Sequence, residues 1–260
     1  MAKIHPTAII GTTAEIGADV EVGPYSVIGD NVRIGDACVI GPHVVIHPYT
    51  TIGQRCRVHA MAVLGDLPQD LSFPGGATYV DIGDDCVIRE GVTVHRGTKP
   101  ETRTVIGNQC FLMAFSHVAH NVQLGDRVIV ANGVLLAGYV EVGEGAFISG
   151  TVVIHQFVKI GRLAMLGGQS GIGKDVPPFC TTESSERNRI AGLNLVGLKR
   201  AGFTPPERKE IKRAFEMLYH SGLNTSQALD KMKEEFPEGP ASEIWRFIEK
   251  SDRGICGAIR

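Results

Sequence analysis

From Ile4 to Ile172 an aliphatic residue returns at every sixth position without a change of phase. Of the 29 sites at that interval, 26 hold Ile, Val or Leu; the exceptions, Asp70, Gly76 and Pro100, fall in two local interruptions. A period of six matches neither the helical repeat nor plain strand alternation. It predicts one short straight side of a coil followed by a corner, and a repeat of this kind sets the whole fold. In the unit Ile34-Gly35-Asp36-Ala37-Cys38-Val39-Ile40 the aliphatic residue is position one. Position two is often Gly (Gly11, Gly17, Gly23, Gly29, Gly35), which is expected to relieve the steric penalty of the corner. Position five is small or β-branched, as at Ala8, Ala14, Ser26, Cys38 and Ala62. Position five and the next position one lie two apart in a strand, so both point inward and the residue between them points out. Three such sides close a triangular coil of about 18 residues, each coil burying the aliphatic residues of its neighbours. Coils stacked at roughly 4.8 Å give a prism on the order of 45 Å tall.

The repeat breaks twice. GDLPQDLSFPGGATYVD, residues 65–81, reads as a polar loop replacing two sides of a coil, and HRGTKPETRTV, residues 95–105, as one replacing part of another. Loops ejected from a rigid scaffold are where function concentrates, and Gln69 and Asp70 sit in the first. Past Pro177-Pro178 the repeat stops. Residues 1–178 thus read as the solenoid and 179–260 as a C-terminal helical domain. A helix is predicted from Thr204 as cap and Pro205 in the first turn, with Ile211, Ala214, Phe215 and Leu218 on one face. Leu229, Met232 and Phe236 mark a second helix, and Ile244, Phe247 and Ile248 a third. Such a cap covers the edge of a stacked sheet.

Composition narrows the class. A net charge of −2 over 260 residues gives no basic field for nucleic acid. No apolar run is long enough to span a membrane, and the N-terminus lacks a signal-peptide pattern. Cys38, Cys56, Cys86 and Cys110 all fall at the inward position five and read as core fillers, which fits a reduced, cytoplasmic protein.

The chemistry-bearing residues are histidines. In Ser116-His117-Val118-Ala119-His120-Asn121, the repeat arithmetic puts His117 on the outward side of a strand and His120 in the next corner. Such a pair can bind metal, move protons or do nothing. His155 follows at a corner beside Gln156, nearly two coils later. His47, His59 and His95 share its position and read as surface residues stacked on one another.

The ordered set GDLPQDLSF, TVHRGT, SHVAHN, LLAGYVEVG, VVIHQFVKIG, GKDVPPF and GLNLVGLKRAGF resembles the UDP-N-acetylglucosamine O-acyltransferase family over nearly the whole chain. The resemblance implies a mainly β fold, a left-handed parallel β-helix of hexapeptide repeats with a C-terminal α-helical domain, assembled as a homotrimer with clefts between subunits. It implies transfer of an (R)-3-hydroxyacyl chain from acyl carrier protein to the glucosamine 3-position of a UDP-sugar, the first step of lipid A synthesis. No metal or cofactor is implied, because the thioester is already activated. On this resemblance His120 is the general base and the Gly138 N–H the oxyanion donor. Gln69, Asp70, His117, Asn121, His155 and Gln156 line the substrate site. Asn194 binds the nucleotide, Arg200 lies near the donor, and Gly168, lacking a side chain, sets the acyl ruler for a longer chain. Lys199 and Arg200, or Arg208, Lys209, Lys212 and Arg213, are candidate docking cations for the acidic carrier protein.

Five positions depart from the family pattern. Asn121 replaces an acidic residue, Ser72 a basic one, Tyr139 a histidine, Val196 an acid and Ala201 an arginine. They leave open whether the acceptor atom is a 3-hydroxyl or a 3-amine. The related N-acyltransferase shares the coil but carries a uridine-binding domain before it, whereas here sextets begin at Ile4. A hexapeptide-repeat carbonic anhydrase needs three converging imidazoles, for which His95, His117 and His120 are the trio.

Overall fold

The computed structural model describes residues 1–184 and 189–259. Strands of two to four residues follow one another at the sextet interval and sort into three parallel sheets, the faces A, B and C of a triangular prism. Face A begins with Lys3–Ile4, face B with Ile9–Ile10 and face C with Glu15–Ile16. Register advances one coil at a time: Ile4 pairs with Val22, Ile10 with Ile28 and Ile16 with Ile34. The position-one residues stack through the centre, where Ile28, Ile40, Ile46, Ile52, Ile88, Leu112 and Leu136 are fully buried.

Position two has a different purpose from the one expected. From Asp19 onward the left-handed backbone of the regular corners sits at position four, on Asp19, Tyr25, Asn31, Ala37, His43 and their successors, with φ between 53° and 66°. The position-two glycines are needed for stacking instead. A Cβ on Gly11 would meet Asp30 N at 2.5 Å, and one on Gly35 would meet the carbonyl of Gly53 at 2.7 Å. Both are backbone atoms of the next coil, which cannot move aside.

The position-five residues secure the same contact from within. Each of the four cysteine thiols donates to the carbonyl of a glycine one coil on: Cys38 to Gly53, Cys56 to Gly83, Cys86 to Gly107 and Cys110 to Gly125, at 3.0–3.2 Å. Ser26 does so to Gly41 at 2.7 Å. All six cysteines are buried and free.

The two interruptions remove no side of the prism. Val63–Asp66 remains on face B and Tyr79–Ile82 on face C, with the first loop running between them. Thr93–His95 and Arg103–Ile106 likewise flank the second loop. Both loops are therefore insertions into one corner, the B–C corner, and they lie on consecutive coils.

At the top, Cys180–Thr182 joins face A beside Met165 and pairs antiparallel with Arg189–Leu193, which in turn pairs with Gly257–Ala258. Four helices follow: α1 (Leu195–Arg200), α2 (Pro205–Tyr219), α3 (Thr225–Glu235) and α4 (Ser242–Glu249). Thr204 and Glu207 form a reciprocal capping box on α2. Ile211, Ala214, Leu218, Met232 and Ile244 are buried in a helical core, while Phe215 reaches the core of the prism. The short strands and α1 occupy a stretch whose weak periodicity had predicted neither. None of the described helices is long and apolar enough to cross a membrane.

Candidate active site

Where position three of a corner is not proline, it carries a backbone N–H that strand pairing does not use. At the C–A corner a column of Asp and Asn side chains accepts it. Ala18 N–H donates to Asp36, Gln54 to Asp84, Asp84 to Asn108 and Asn108 to Asp126, at 2.7–2.9 Å. Low on the B–C corner Asp30 serves the same end for the Thr13 N–H. Higher on that corner position three is held in turn by His120, Gly138 and Gln156. The Gly138 N–H meets no protein acceptor among the described residues. Gly138 itself is required by its neighbour, because a Cβ there would overlap the His120 ring.

His120 is held from three directions. Its Nδ1 lies 3.1 Å from Asn121 Oδ1. Its Nε2 lies 4.0 Å from Asp70 Oδ2, with the His120 side chain 13% exposed. The Tyr139 ring stands edge-on to it, centroids 5.3 Å apart, and is stacked in turn on Phe157 at 4.9 Å. Asp70 is aimed by its own loop: Oδ1 accepts the Ser72 N–H at 2.9 Å and the Ser72 hydroxyl at 2.8 Å. These bonds, and then the nearby His120, keep the Asp70 carboxyl below the usual range, so it is ionised at neutral pH. Ser72, which stands where a basic residue was expected, is thus the clamp on Asp70.

Asn121 Oδ1 also receives the Thr98 N–H at 3.0 Å and the Thr98 hydroxyl at 2.9 Å, and Thr98 Oγ1 lies 2.9 Å from the Tyr139 hydroxyl. The Asn121 N–H donates to Thr104 Oγ1, whose hydroxyl donates to the His95 carbonyl. The second insertion is therefore bonded to the base's own corner.

His117 points outward from face B with Nδ1 2.7 Å from Thr93 Oγ1. Its ring meets that of His95 edge-on at 4.9 Å. Burial, then the charges of His95 and His120, pushes His117 down to about 4. Burial lowers His95 as well. The expected stack of surface histidines is not found. His95 is 6% exposed and packed against His117, and His59 lies on the A–B corner away from His47 and His155. His155 is exposed, with Nδ1 3.1 Å from the Gln156 carbonyl. The trio His95, His117 and His120 makes no metal site within the chain; among the described residues no group of three His, Cys, Asp or Glu could hold an ion.

One corner thus gathers Gln69, Asp70, His117, His120, Asn121, Gly138, His155 and Gln156. The remaining candidates lie elsewhere. Asn194 caps α1 over the C–A corner, accepting from the Gly197 N–H and donating to the Leu163 carbonyl at 2.8 Å. Arg200 ends the same helix, exposed. Gly168 is on the A–B corner near Ser149 and Gly150. Thr98 was not singled out by sequence, and only its off-repeat location hinted at it; Ser72 was named as a departure and His95 as a surface residue, without the contacts seen here.

Residues 175–256 match the model of domain 2 of UDP-N-acetylglucosamine O-acyltransferase, and residues 31–66 and 103–138 match the bacterial transferase hexapeptide repeat. The chain is 46% identical to an acyl-[acyl-carrier-protein]--UDP-N-acetylglucosamine O-acyltransferase of Thermodesulfovibrio yellowstonii, over 98% of this chain and 100% of that one. It is 45% identical to the enzyme of that name from Halorhodospira halophila, over 98% and 99%. A solved UDP-N-acetylglucosamine acyltransferase from Campylobacter jejuni superposes with a TM-score of 0.92 at 37% identity, covering 99% of this chain and 100% of that chain. The coil is a left-handed parallel β-helix with C-terminal helices. The chain belongs to the UDP-N-acetylglucosamine O-acyltransferase family.

Proposed function

We propose that the chain transfers an (R)-3-hydroxyacyl group from acyl carrier protein to the 3-position of the glucosamine in UDP-N-acetylglucosamine, the first step of lipid A synthesis. The observation that carries this reading is the pairing of His120 with the unpaired Gly138 N–H on adjacent coils. The His120 imidazole takes the proton of the attacking 3-hydroxyl. The new C–O bond forms at the thioester carbonyl, whose oxygen gathers charge beside the Gly138 N–H, a fixed donor that contributes roughly 3 kcal/mol. The C–S bond then breaks, and His120 returns the proton to the departing thiolate. Neither electrons nor a Lewis acid need be supplied from outside, so no cofactor is assigned. Asp70, ionised and aimed at His120, is suited to a sugar hydroxyl and to steadying the imidazolium. Neutral His117 and the exposed Gln69, His155 and Gln156 lie along the same corner and suit the remaining polar groups of the substrates.

A homotrimer brings the distant residues together. Faces A and B expose apolar side chains, among them Val39, Met165, Ile9, Val27, Leu135 and Val153, and the A–B corner between them exposes Tyr25, Met61 and Phe115. The outward residues in register along face C are Glu15, Arg33, Thr51, Asp81, Val105, Gln123, Glu141 and Lys159, all polar but Val105. Three prisms meeting at their A–B corners cover faces A and B and leave C in water. Each B–C corner then faces a neighbour's C–A corner, so His120 meets the Asn194 and Arg200 of another subunit. Gly168 lies at the inner end of that seam, where an acyl chain entering beside His120 would run. Lys199 and Arg200 form no ion pair among the described residues and suit an acidic carrier protein, whereas Arg213 is already held by Glu235. The free thiols fit a cytoplasmic enzyme.

A product assay by mass spectrometry, with acyl carrier protein donors of several chain lengths and UDP-N-acetylglucosamine, its 3-amino analogue and the 3-O-acylglucosamine as acceptors, tests the reading. Acylation of the first acceptor supports it; transfer only to another acceptor, or full activity in His120→Ala, rejects it. Sedimentation at three chain masses supports the trimer, and a monomer that retains activity rejects it.

A further inference from the structure

We propose that Thr98, carried by the second insertion loop, is a positioning residue that fixes the tautomer of His120 through the side-chain amide of Asn121. The inference rests on His120 being the base of the proposed reaction. The Asn121 atom facing Thr98 meets a backbone N–H at 3.0 Å, which can only donate. The facing atom is therefore the amide oxygen; an amide nitrogen there would set donor against donor. That same oxygen lies 3.1 Å from His120 Nδ1. An oxygen without a hydrogen can only accept, so Nδ1 carries the proton. The lone pair is then on Nε2, the nitrogen turned toward Asp70 Oδ2. The Thr98 hydroxyl adds a second donor to the same oxygen at 2.9 Å, and with it committed there, the Tyr139 hydroxyl donates to Thr98 Oγ1. Every proton in the chain Tyr139, Thr98, Asn121 points toward the amide oxygen.

The arrangement compensates for a missing charge. A carboxylate at position 121 would hold Nδ1–H in either of its own orientations. An amide has one accepting and one donating end, and the wrong end would favour the wrong tautomer, the error that is costly in histidine-based catalysis. Thr98 and Asn121 are 8% exposed or less, so water does not compete freely for these bonds.

The test uses the full-length protein. Thr98→Val keeps the backbone N–H and the side-chain shape but deletes the hydroxyl. It is expected to lower kcat on the order of 10-fold, the worth of one such hydrogen bond, with KM unchanged. It should also move part of His120 to the Nε2–H tautomer, read by NMR of 15N- and 13C-labelled histidine with the His120 signal assigned by its loss in His120→Gln. Thr98→Ser should recover most of the lost kcat. Asn121→Asp, whose carboxylate stabilises the imidazolium, should move the acid limb of the kcat/KM profile to higher pH. A His120 tautomer unchanged in Thr98→Val overturns the proposal, whatever the rate does. The NMR arm needs no turnover: wild-type protein that transfers no acyl group, yet shows the tautomer change in Thr98→Val, sinks the acyltransferase reading and supports this one.

Discussion

The B–C and C–A corners are made from the same sextet, yet one holds the candidate site and the other none of its imidazoles. The difference lies at position three. Along the C–A corner Asp36, Asp84, Asn108 and Asp126 each accept the N–H of the coil beneath. On the B–C corner no side chain among the described residues accepts the Gly138 N–H, and the space that a Cβ on Gly138 would take is filled by the His120 ring. A site arises here where a glycine at position three makes room for the imidazole one coil below and its own backbone donor is left open. The insertions then wall off the opened stretch, since both leave from that corner.

The sharpest way to break this comparison is His120→Ala. Acyl transfer should fall about 10³-fold, within the range for a lost general base, with thermal unfolding unchanged. An enzyme that keeps its rate would make the B–C corner as inert as its neighbour. Next come matched glycine substitutions. Gly138→Ala pushes a methyl into the imidazole and should lower kcat roughly 100-fold through misplacement. Gly143→Ala, on the C–A corner, drives its methyl into the Arg162 backbone and should instead cost roughly 1–3 kcal/mol of stability, with activity per folded molecule retained. Chemical denaturation and steady-state kinetics on both variants separate the two outcomes.

Acid sharpens the contrast in another way. Face B beside the site buries His117, pushed down to about 4, so the fold holds it neutral while the unfolded chain protonates it below about 6.5. The unfolded state binds more protons in that window, and stability falls as pH drops from about 6.5 toward 4, by at most ~3 kcal/mol. His95 acts in the same direction. His117→Asn should flatten the decline of Tm across the window; a slope as steep as wild type rejects the assignment. The smallest effect belongs to Asp126→Ala, which strips the acceptor from the Asn108 N–H. The cost should be about 1 kcal/mol with acyl transfer intact, measured by urea unfolding.

The fold was legible because the repeat is written in residue volume. Aliphatics at position one and small residues at position five are what a stacked triangular interior demands, and they hold phase even across the insertions. The conformational demand was misread: glycine draws the eye at position two, but the left-handed turn falls on Tyr25, His43 and Arg55, side chains that announce nothing. His120 was findable because the sextet count fixes which way it faces; Asn121 and Gly138 were marked by the family resemblance alone. Thr98 was not findable, since an off-repeat loop has no count and its partner Asn121 lies 23 residues away by a path only the folded chain reveals; Ser72 stood out as a departure, but its hold on Asp70 did not. Asn194 has a second task that the sequence did not announce: within one chain it caps α1.

The position-four turns bear on how such a chain comes together. Most hold an ordinary side chain in a backbone shape that costs roughly 1 kcal/mol or more, up to three times per coil, and nothing inside a single coil offsets that. A lone winding should therefore fall open, and only several laid on one another can persist. Assembly then begins as a small multi-coil seed and spreads by accretion, so peptides covering one or two windings should show no β signal by circular dichroism, while a fragment of several windings should.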